Sequence, residues 1–424
     1  MRLSIWLSAG VIAGGLAGAP VGAQPAASPG SPPAALPSPA YETAGSITLR
    51  AALDAAWQRA VAARESQGQR RRAEADRTAA GSFWAAPPSL ELSHRNDRLQ
   101  SNAGRRETEI SVAVPLWLPG QKAARAGTAD AAAAQALAAE QVARLRLAGE
   151  LREAAWQLAA LQAEAAQAEI QIQALKQLAA DVERRVRAGD LARADLLAAQ
   201  AELLAASALQ SDVSQRLQAA RARWTLHTGL AATPDVSVEA LEGAPRPAAS
   251  HLELQLASQS TDLARKRVEL MRHSRRDAPE LTVGVRQDVP GRAESSQGSL
   301  VVGLRLPFGT DDRNRPLESA ALAELDVAET QELRLRERID SDIAAARNAQ
   351  RSAEAQLDAE KARARLLRER ASLIDKSFRA GETPLPDQLR ALAAASQADS
   401  AVARQTAVLG LARARLQQAL GLLP

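Results

Sequence analysis

The sequence predicts a mainly α fold with a small β part, written twice in tandem. Three observations predict it. Arg187-Ala188-Gly189-Asp190 recurs as Arg379-Ala380-Gly381-Glu382, 192 residues on. The same offset, with no gap, carries Asp195 onto Asp387, Leu197 onto Leu389, Arg221-Ala222-Arg223 onto Arg413-Ala414-Arg415, and Gly229-Leu230 onto Gly421-Leu422. Upstream it carries Val114-Pro115-Leu116 onto Leu306-Pro307-Phe308. Matched alanines carry little weight in an alanine-rich chain, so the duplication rests on the Gly, Asp, Arg and Pro matches. The second observation is composition: aromatic residues are only 2%, while Ala, Leu, Gln, Arg and Glu dominate, as in long helices packed side by side. The third is a change of hydrophobic period from 3.6 to 2 in four short stretches.

Residues 1–23 read as a secretory signal peptide, with Arg2 as the positive start, an apolar run from Leu3 to Ala17, and Val21-Gly22-Ala23 as a small-x-small cleavage site. A single membrane anchor is the alternative, but Pro20 and the glycines break the stretch. Residues 24–45 are a Pro/Ala-rich leader with little to bury. Helical periodicity then begins at Ser46, read as an N-cap before Leu49, Leu53, Ala56 and Trp57, and runs to Ala80.

After Pro87-Pro88 the period is 2. Leu90 and Leu92 alternate with Glu91 and Ser93; past a polar turn, Ile110, Val112 and Val114 alternate with Glu109, Ser111 and Ala113. These are two strands of a hairpin, each with one apolar face. From Gln121 to Val186 no proline or breaker cluster intervenes, and a helix of that span is on the order of 100 Å long, too long for a globule of this size. Gly189 breaks it, and a second helix returns from Ala192 to Thr228. The second copy repeats the plan: a helix over 249–274, strands around Leu281–Val285 and Leu300–Leu306, a long helix to Phe378, a turn at Gly381, and a return from Asp387 to Leu420. The expected domains are thus the signal peptide (1–23), the leader (24–45), a first repeat (46–232), a linker (233–249) and a second repeat (250–424).

Composition also excludes. With no cysteine, no disulfide, thiolate nucleophile or lipid-bearing N-terminal Cys is possible. Net charge is +4, from 53 basic and 49 acidic residues interspersed along the chain, without the basic stripe of a nucleic-acid binder. A His-Glu-x-x-His helix, a Gly-x-Ser-x-Gly elbow and a phosphate loop are all missing, and the four histidines have no ligand spacing. His94 falls in a strand, His227 at a helix end, and His251 and His273 in the helix that opens the second copy, each read as a surface or pore-lining residue. Neither catalytic, cofactor nor metal residues are therefore expected.

Four strands of about 8–10 residues are long enough to cross a bilayer when tilted, and half-apolar alternation suits a wall between lipid and water. A small soluble sheet capping a coiled coil is the alternative. Four strands cannot close a barrel, and open edges in lipid leave backbone groups unpaired. Two copies would give eight strands and a filled pore; three would give twelve and a lumen, which suits polar-face residues such as Glu91, Arg95, Glu109, Arg286 and Arg305. The expected fold is a long antiparallel α-helical barrel continuous with a 12-stranded β-barrel, completed by a homotrimer.

In its duplicated helix–strand–strand–helix–helix units, its Val-Pro-Leu and Leu-Pro-Phe strand exits, and its tip turns Val186-Arg187-Ala188-Gly189…Asp195-Leu196 and Phe378-Arg379-Ala380-Gly381…Asp387, the mature chain resembles the TolC family of trimeric outer-membrane channel proteins. The resemblance implies a passive conduit through the outer membrane and periplasm of a Gram-negative bacterium. It implies docking onto a periplasmic adaptor and an inner-membrane RND-type pump through Arg187, Ala188, Gly189, Asp195, Arg379, Ala380 and Gly381. It also implies an acidic ring at the periplasmic entrance, with Asp387 at the matching position, where three aspartates would repel one another and favour cations. The best-known member has a further Asp three residues on; Arg390 stands there here, and could pair with Asp387 or with a neighbouring chain's Asp195. The competing reading is that Asp195 and Asp387 only cap the returning helices. As to cargo, the general look resembles the heavy-metal cation efflux subgroup; multidrug or organic-compound efflux and type I secretion are alternatives. A periplasmic adaptor is the alternative of another class, but adaptors carry one hairpin between β-rich halves, not two hairpins each preceded by a strand pair.

Overall fold

Two helices of nearly seventy residues set the scale of the molecule. The computed structural model describes residues 47–236, 251–309 and 311–424. The expected signal peptide, leader and Ser46 cap lie outside the described residues, as does most of the expected linker. In order, the elements are α1 (Leu49–Arg59), α2 (Val61–Ala80), β1 (Ser89–Asn96), β2 (Arg106–Pro115), α3 (Gln121–Ala188), α4 (Arg193–Thr228), α5 (Leu252–His273), β3 (Glu280–Val289), β4 (Gln297–Arg305), α6 (Asp311–Arg379) and α7 (Leu385–Ala419). The fold is mainly α with a four-stranded antiparallel sheet of order β1-β2-β3-β4.

At 68 and 69 residues, α3 and α6 run from the sheet to the far tip, about 100 Å. Neither could hold that length alone, and each is flanked along its course. On the sheet side α3 lies between α2 and α5, and α5 lies against α6; on the tip side α3 lies between α4 and α7, and α7 lies against α6. The layer is thus four helices wide at both levels. The two copies interleave, because α5 and α7 of the second pack on α3 of the first, and the described residues fall in one compact unit.

The levels meet halfway along α3. Trp224 near the end of α4 packs with Leu49, Leu53 and Ala56 of α1 on Ala148, Leu151, Ala155 and Leu158 of α3. Its indole Nε1 donates to Ala232 O at 3.0 Å. On the opposite flank, buried Arg152 of α3 reaches the end of α7, donating to Gln418 Oε1 at 2.8 Å and Leu422 O at 3.0 Å. A helix C-terminus is where a cation is favoured.

Three local expectations change. The first helix is capped by Thr48, whose hydroxyl accepts from Ala51 N–H at 3.2 Å, not by Ser46. The expected single helix to Ala80 is two, because Ala60 is extended (ψ 138°), which lets α1 sit over the end of α4 while α2 follows α3. Tertiary packing overrides alanine's preference for helix here. His251 is not inside a helix or exposed: it is the buried N-cap of α5, where Nδ1 accepts from Glu253 N–H and Nε2 donates to Ala419 O, joining α5 to the end of α7.

Candidate functional site

The molecule offers two functional ends. At one, registry turns the alternation of each strand into a continuous face. Leu90 opposes Val112, which opposes Val283, which opposes Val302; Leu92, Ile110, Val285 and Leu300 form the next row, and Val114, Leu281 and Leu304 the last. The first of these rows lies between the other two, and the two outer rows, at Ile110 and Val114 on β2, are about 14 Å apart along the strand. This face is open: Leu90 is 72% exposed, Leu300 71% and Val302 63%. A contiguous apolar surface on that scale marks contact with protein or membrane.

The opposite face is polar. Glu91, Arg95, Glu109, Arg286 and Arg305 all fall on it by register. Arg286 bridges Glu107 at 3.0 Å and Glu109 at 2.9 Å across adjacent strands, which keeps the charges satisfied without leaving the sheet plane. His94 shares the apolar side's polar margin with Thr108, at 2.9 Å. Among the described residues β1 pairs only with β2, and β4 only with β3, so each outer strand has one edge unpaired by them.

At the other end, α3–α4 and α6–α7 turn on Gly189 (φ 86°) and Gly381 (φ 81°), left-handed positions that end the long helices in the same way. Asp190 N–H donates to Arg185 O at 2.9 Å, and Glu382 N–H to Ser377 O at 3.0 Å. The two turns are joined by a shared core: Phe378 and Leu385 of the second pack on Ala179, Val182 and Ala199 of the first. Arg185 reinforces it, stacked 4.9 Å from the Phe378 ring centre and donating to Phe378 O at 3.1 Å. Arg187 and Arg379 are exposed and pair with Glu183 at 3.2 Å and Asp375 at 2.9 Å in their own helices; Ala188 is the last residue of α3, and Ala380 follows the last of α6.

The paired aspartates differ in their contacts. Asp195 accepts from the Ala192 backbone N–H at 3.1 Å, so it is a helix cap. The residue matching Ala192 is Pro384, which has no N–H to offer. Asp387 is therefore not a cap of that kind; its carboxylate instead pairs with Arg390 on the same helix, half-exposed. Asp195 and Arg390 do not meet within the chain. Pro384 was the sequence signal that distinguishes the two aspartates. Gln388, which donates to Asp375 at 2.9 Å and ties α7 to α6 beside the turn, had no signal in the pattern.

No protein-family model matches the chain, and no curated protein sequence matches it. Solved structures do. The outer membrane protein VceC from Vibrio cholerae superposes with a TM-score of 0.69 at 16% identity, over 88% of this chain and 96% of that one. A membrane protein from Pseudomonas aeruginosa gives 0.70 at 19% identity, over 88% and 90% of the two chains. CusC, whose structures concern folding and transmembrane channel formation, gives 0.70 at 14% identity, over 90% and 95%. At such identities the likeness is one of fold, and it spans nearly the whole of each chain.

Proposed function

We propose that the chain is one protomer of an outer-membrane channel, three copies of which close a 12-stranded barrel over a tube of helices in the periplasm. The observation that carries this reading is the sheet: one face apolar and exposed, the other charged, and both edges unpaired among the described residues. In a bilayer such edges cost several kcal/mol per unpaired group, and closure removes them. Because the strands alternate in direction and number four, β4 of one copy and β1 of the next would run antiparallel, continuing the same ladder around the ring. The role is passive conduction, not catalysis.

The tips are the docking end for a periplasmic adaptor and, through it, an inner-membrane RND-type pump. Gly381→Val should abolish binding to the adaptor while leaving trimers in the outer membrane, since a β-branched residue resists φ of 81°. Gly381→Asn, which tolerates that region, should retain binding. Copurification of tagged variants with the adaptor checks both, and normal binding by the Val variant would contradict tip docking.

The cargo we assign is heavy-metal cations, on family likeness; organic compounds are the second candidate, and a deletion strain grown on metals and on organic toxicants decides between them. For the channel itself the test is native mass spectrometry in detergent followed by single-channel recording in bilayers. Trimers with a stable conductance are expected. In the same recordings Asp387→Ala should weaken block by multivalent cations severalfold, and Arg390→Ala should strengthen it by removing the carboxylate's own counter-charge. A monomer in buffer without detergent, indifferent to bilayers, would end the reading.

A further inference from the structure

Where the helices meet the sheet, α5 ends, α6 begins, and Leu118-Pro119 crosses between β2 and α3. They enclose a cleft of about 570 Å³, lined by Arg272, His273, Arg275 and Arg276 from the end of α5 and its exit, with Arg315 and Glu318 from the start of α6. Four arginines thus face one glutamate. Glu318 is already shared: Arg275 grips it through Nε at 3.1 Å and Nη2 at 2.9 Å, and Arg272 Nε lies 3.6 Å away. The Arg275 hydrogen bond holds the Glu318 carboxyl below the usual carboxylate range, so it remains ionised. Of the neighbouring acids, Asp277 contacts Arg313 at 3.7 Å, and Asp312 contacts Arg315 at 3.5 Å in an exposed pair of the weak kind. Arg315 can exchange that partner for a better one.

A second observation fixes the level of this cleft. Of six Trp, three Phe and one Tyr in the chain, two Trp and two Phe stand in the strand–helix connections: Phe83 and Trp84 before β1, Trp117 after β2, and Phe308 after β4. Phe83 is 75% exposed and Phe308 93%, though neither lies in the apolar face of the sheet. Trp117 is held in place by Nε1 donating to Ser82 O and Phe83 O at 3.2 and 3.1 Å. Exposed aromatics in a band just beyond apolar strands mark the headgroup level of a bilayer. Trp117 adjoins Leu118-Pro119 of the cleft wall.

We propose that this cleft binds the phosphate of an anionic phospholipid headgroup in the leaflet on the helix side, one site per protomer. The proposal rests on the outer-membrane reading above. Arginine forks match phosphate oxygens two at a time, and the cleft is large enough for a phosphoglycerol group. Arg272 and Arg315, on different helices, would close on one phosphate and so tie α5 to α6 where the helical layer enters the membrane.

The test uses the full assembled protein. Trimers of wild type and of the Arg272→Gln/Arg315→Gln variant are placed in phosphatidylethanolamine vesicles with or without phosphatidylglycerol. They are then extracted for native mass spectrometry and thermal unfolding. Wild type should retain phosphatidylglycerol and melt higher in its presence, and the variant should lose roughly thirtyfold in lipid affinity, two arginines being removed. The same double change at Arg334 and Arg338, further along α6, lowers the charge equally and should leave retention unchanged. Equal retention by the cleft variant, or equal loss from the distal one, would overturn the site. So would an arginine-dependent shift with inorganic phosphate in detergent that phosphatidylglycerol does not reproduce, which would mean a free-phosphate site. Continued trimerisation and conductance of the variant would show that such a failure belongs to the site and not to the channel.

Discussion

Val302→Arg is expected to keep the protein out of the outer membrane, whereas Val301→Arg, one residue away, is expected to be inserted and to conduct. The two positions share a strand, a depth and a substitution, and differ only in the face they occupy. Val302 opposes Val283 in the middle row of the apolar face; Val301 opposes Gly284 on the face that carries Glu109 and Arg286. An arginine facing lipid near the midplane of a barrel costs about 2–4 kcal/mol. A closed trimer carries the change three times, so the total is on the order of 6–12 kcal/mol, comparable to the whole stability of a typical domain. On the lumenal face the same side chain meets water and costs little. Outer-membrane fractionation of the two variants, with insertion of purified protein into vesicles, gives the comparison. Should Val302→Arg insert and conduct like wild type, the apolar face does not meet lipid. Should both variants fail alike, the strand is simply intolerant and the sidedness is unproven.

That contrast was legible in the sequence because period 2 is rigid: Leu300, Val302 and Leu304 alternate with Val301, Gly303 and Arg305, and no register can put the first three on different faces. The long helices were legible for a similar reason. Nothing between Gln121 and Val186 can stop a helix, and Gly189 and Gly381 supply the φ > 0 residues that do. Local rules fail where a residue's role is set by a distant partner. Ser46 and Thr48 are equally good caps on paper, and the choice between them follows from where α1 docks on α3 and α4. Ala60 breaks its helix against its own propensity, for that same docking. Arg152 and His251 read as ordinary helical surface in one dimension, yet both are buried at the midpoint because α7 ends there. Even the aspartates needed the neighbour: a carboxylate three residues into a helix is a cap only if the residue before the helix has an N–H, and Pro384 does not.

Gly410→Ala should destabilise the protein, although alanine is the better helix former by about 1 kcal/mol. The reason lies across the seam between α7 and α3. A Cβ at Gly410 would fall 2.0 Å from Cη2 and 2.1 Å from Cζ3 of Trp156. An indole is rigid, so the clash cannot be relieved by swinging a flexible end; either the ring leaves its rotamer or the helices separate. Separation is resisted on the side of the contact toward the end of α7, by Arg415 bidentate on Glu153 at 2.7 and 3.0 Å and by Gln418 donating to Leu145 O at 2.9 Å. Overpacking of this kind costs about 1–3 kcal/mol, which exceeds the gain in propensity. The diagnostic is a reversal of sign. In a Trp156→Leu background the obstruction is gone, and the indole Nε1 that is removed has no hydrogen-bond partner to lose. Gly410→Ala should then stabilise by its propensity alone, about 1 kcal/mol. Unfolding midpoints of the four proteins in one detergent complete the cycle, with a coupling equal to the overpacking cost, about 1–3 kcal/mol, expected between the two sites. If Gly410→Ala is stabilising in both backgrounds, Trp156 does not lie over Gly410, and the seam that joins the two copies of the repeat has a different register.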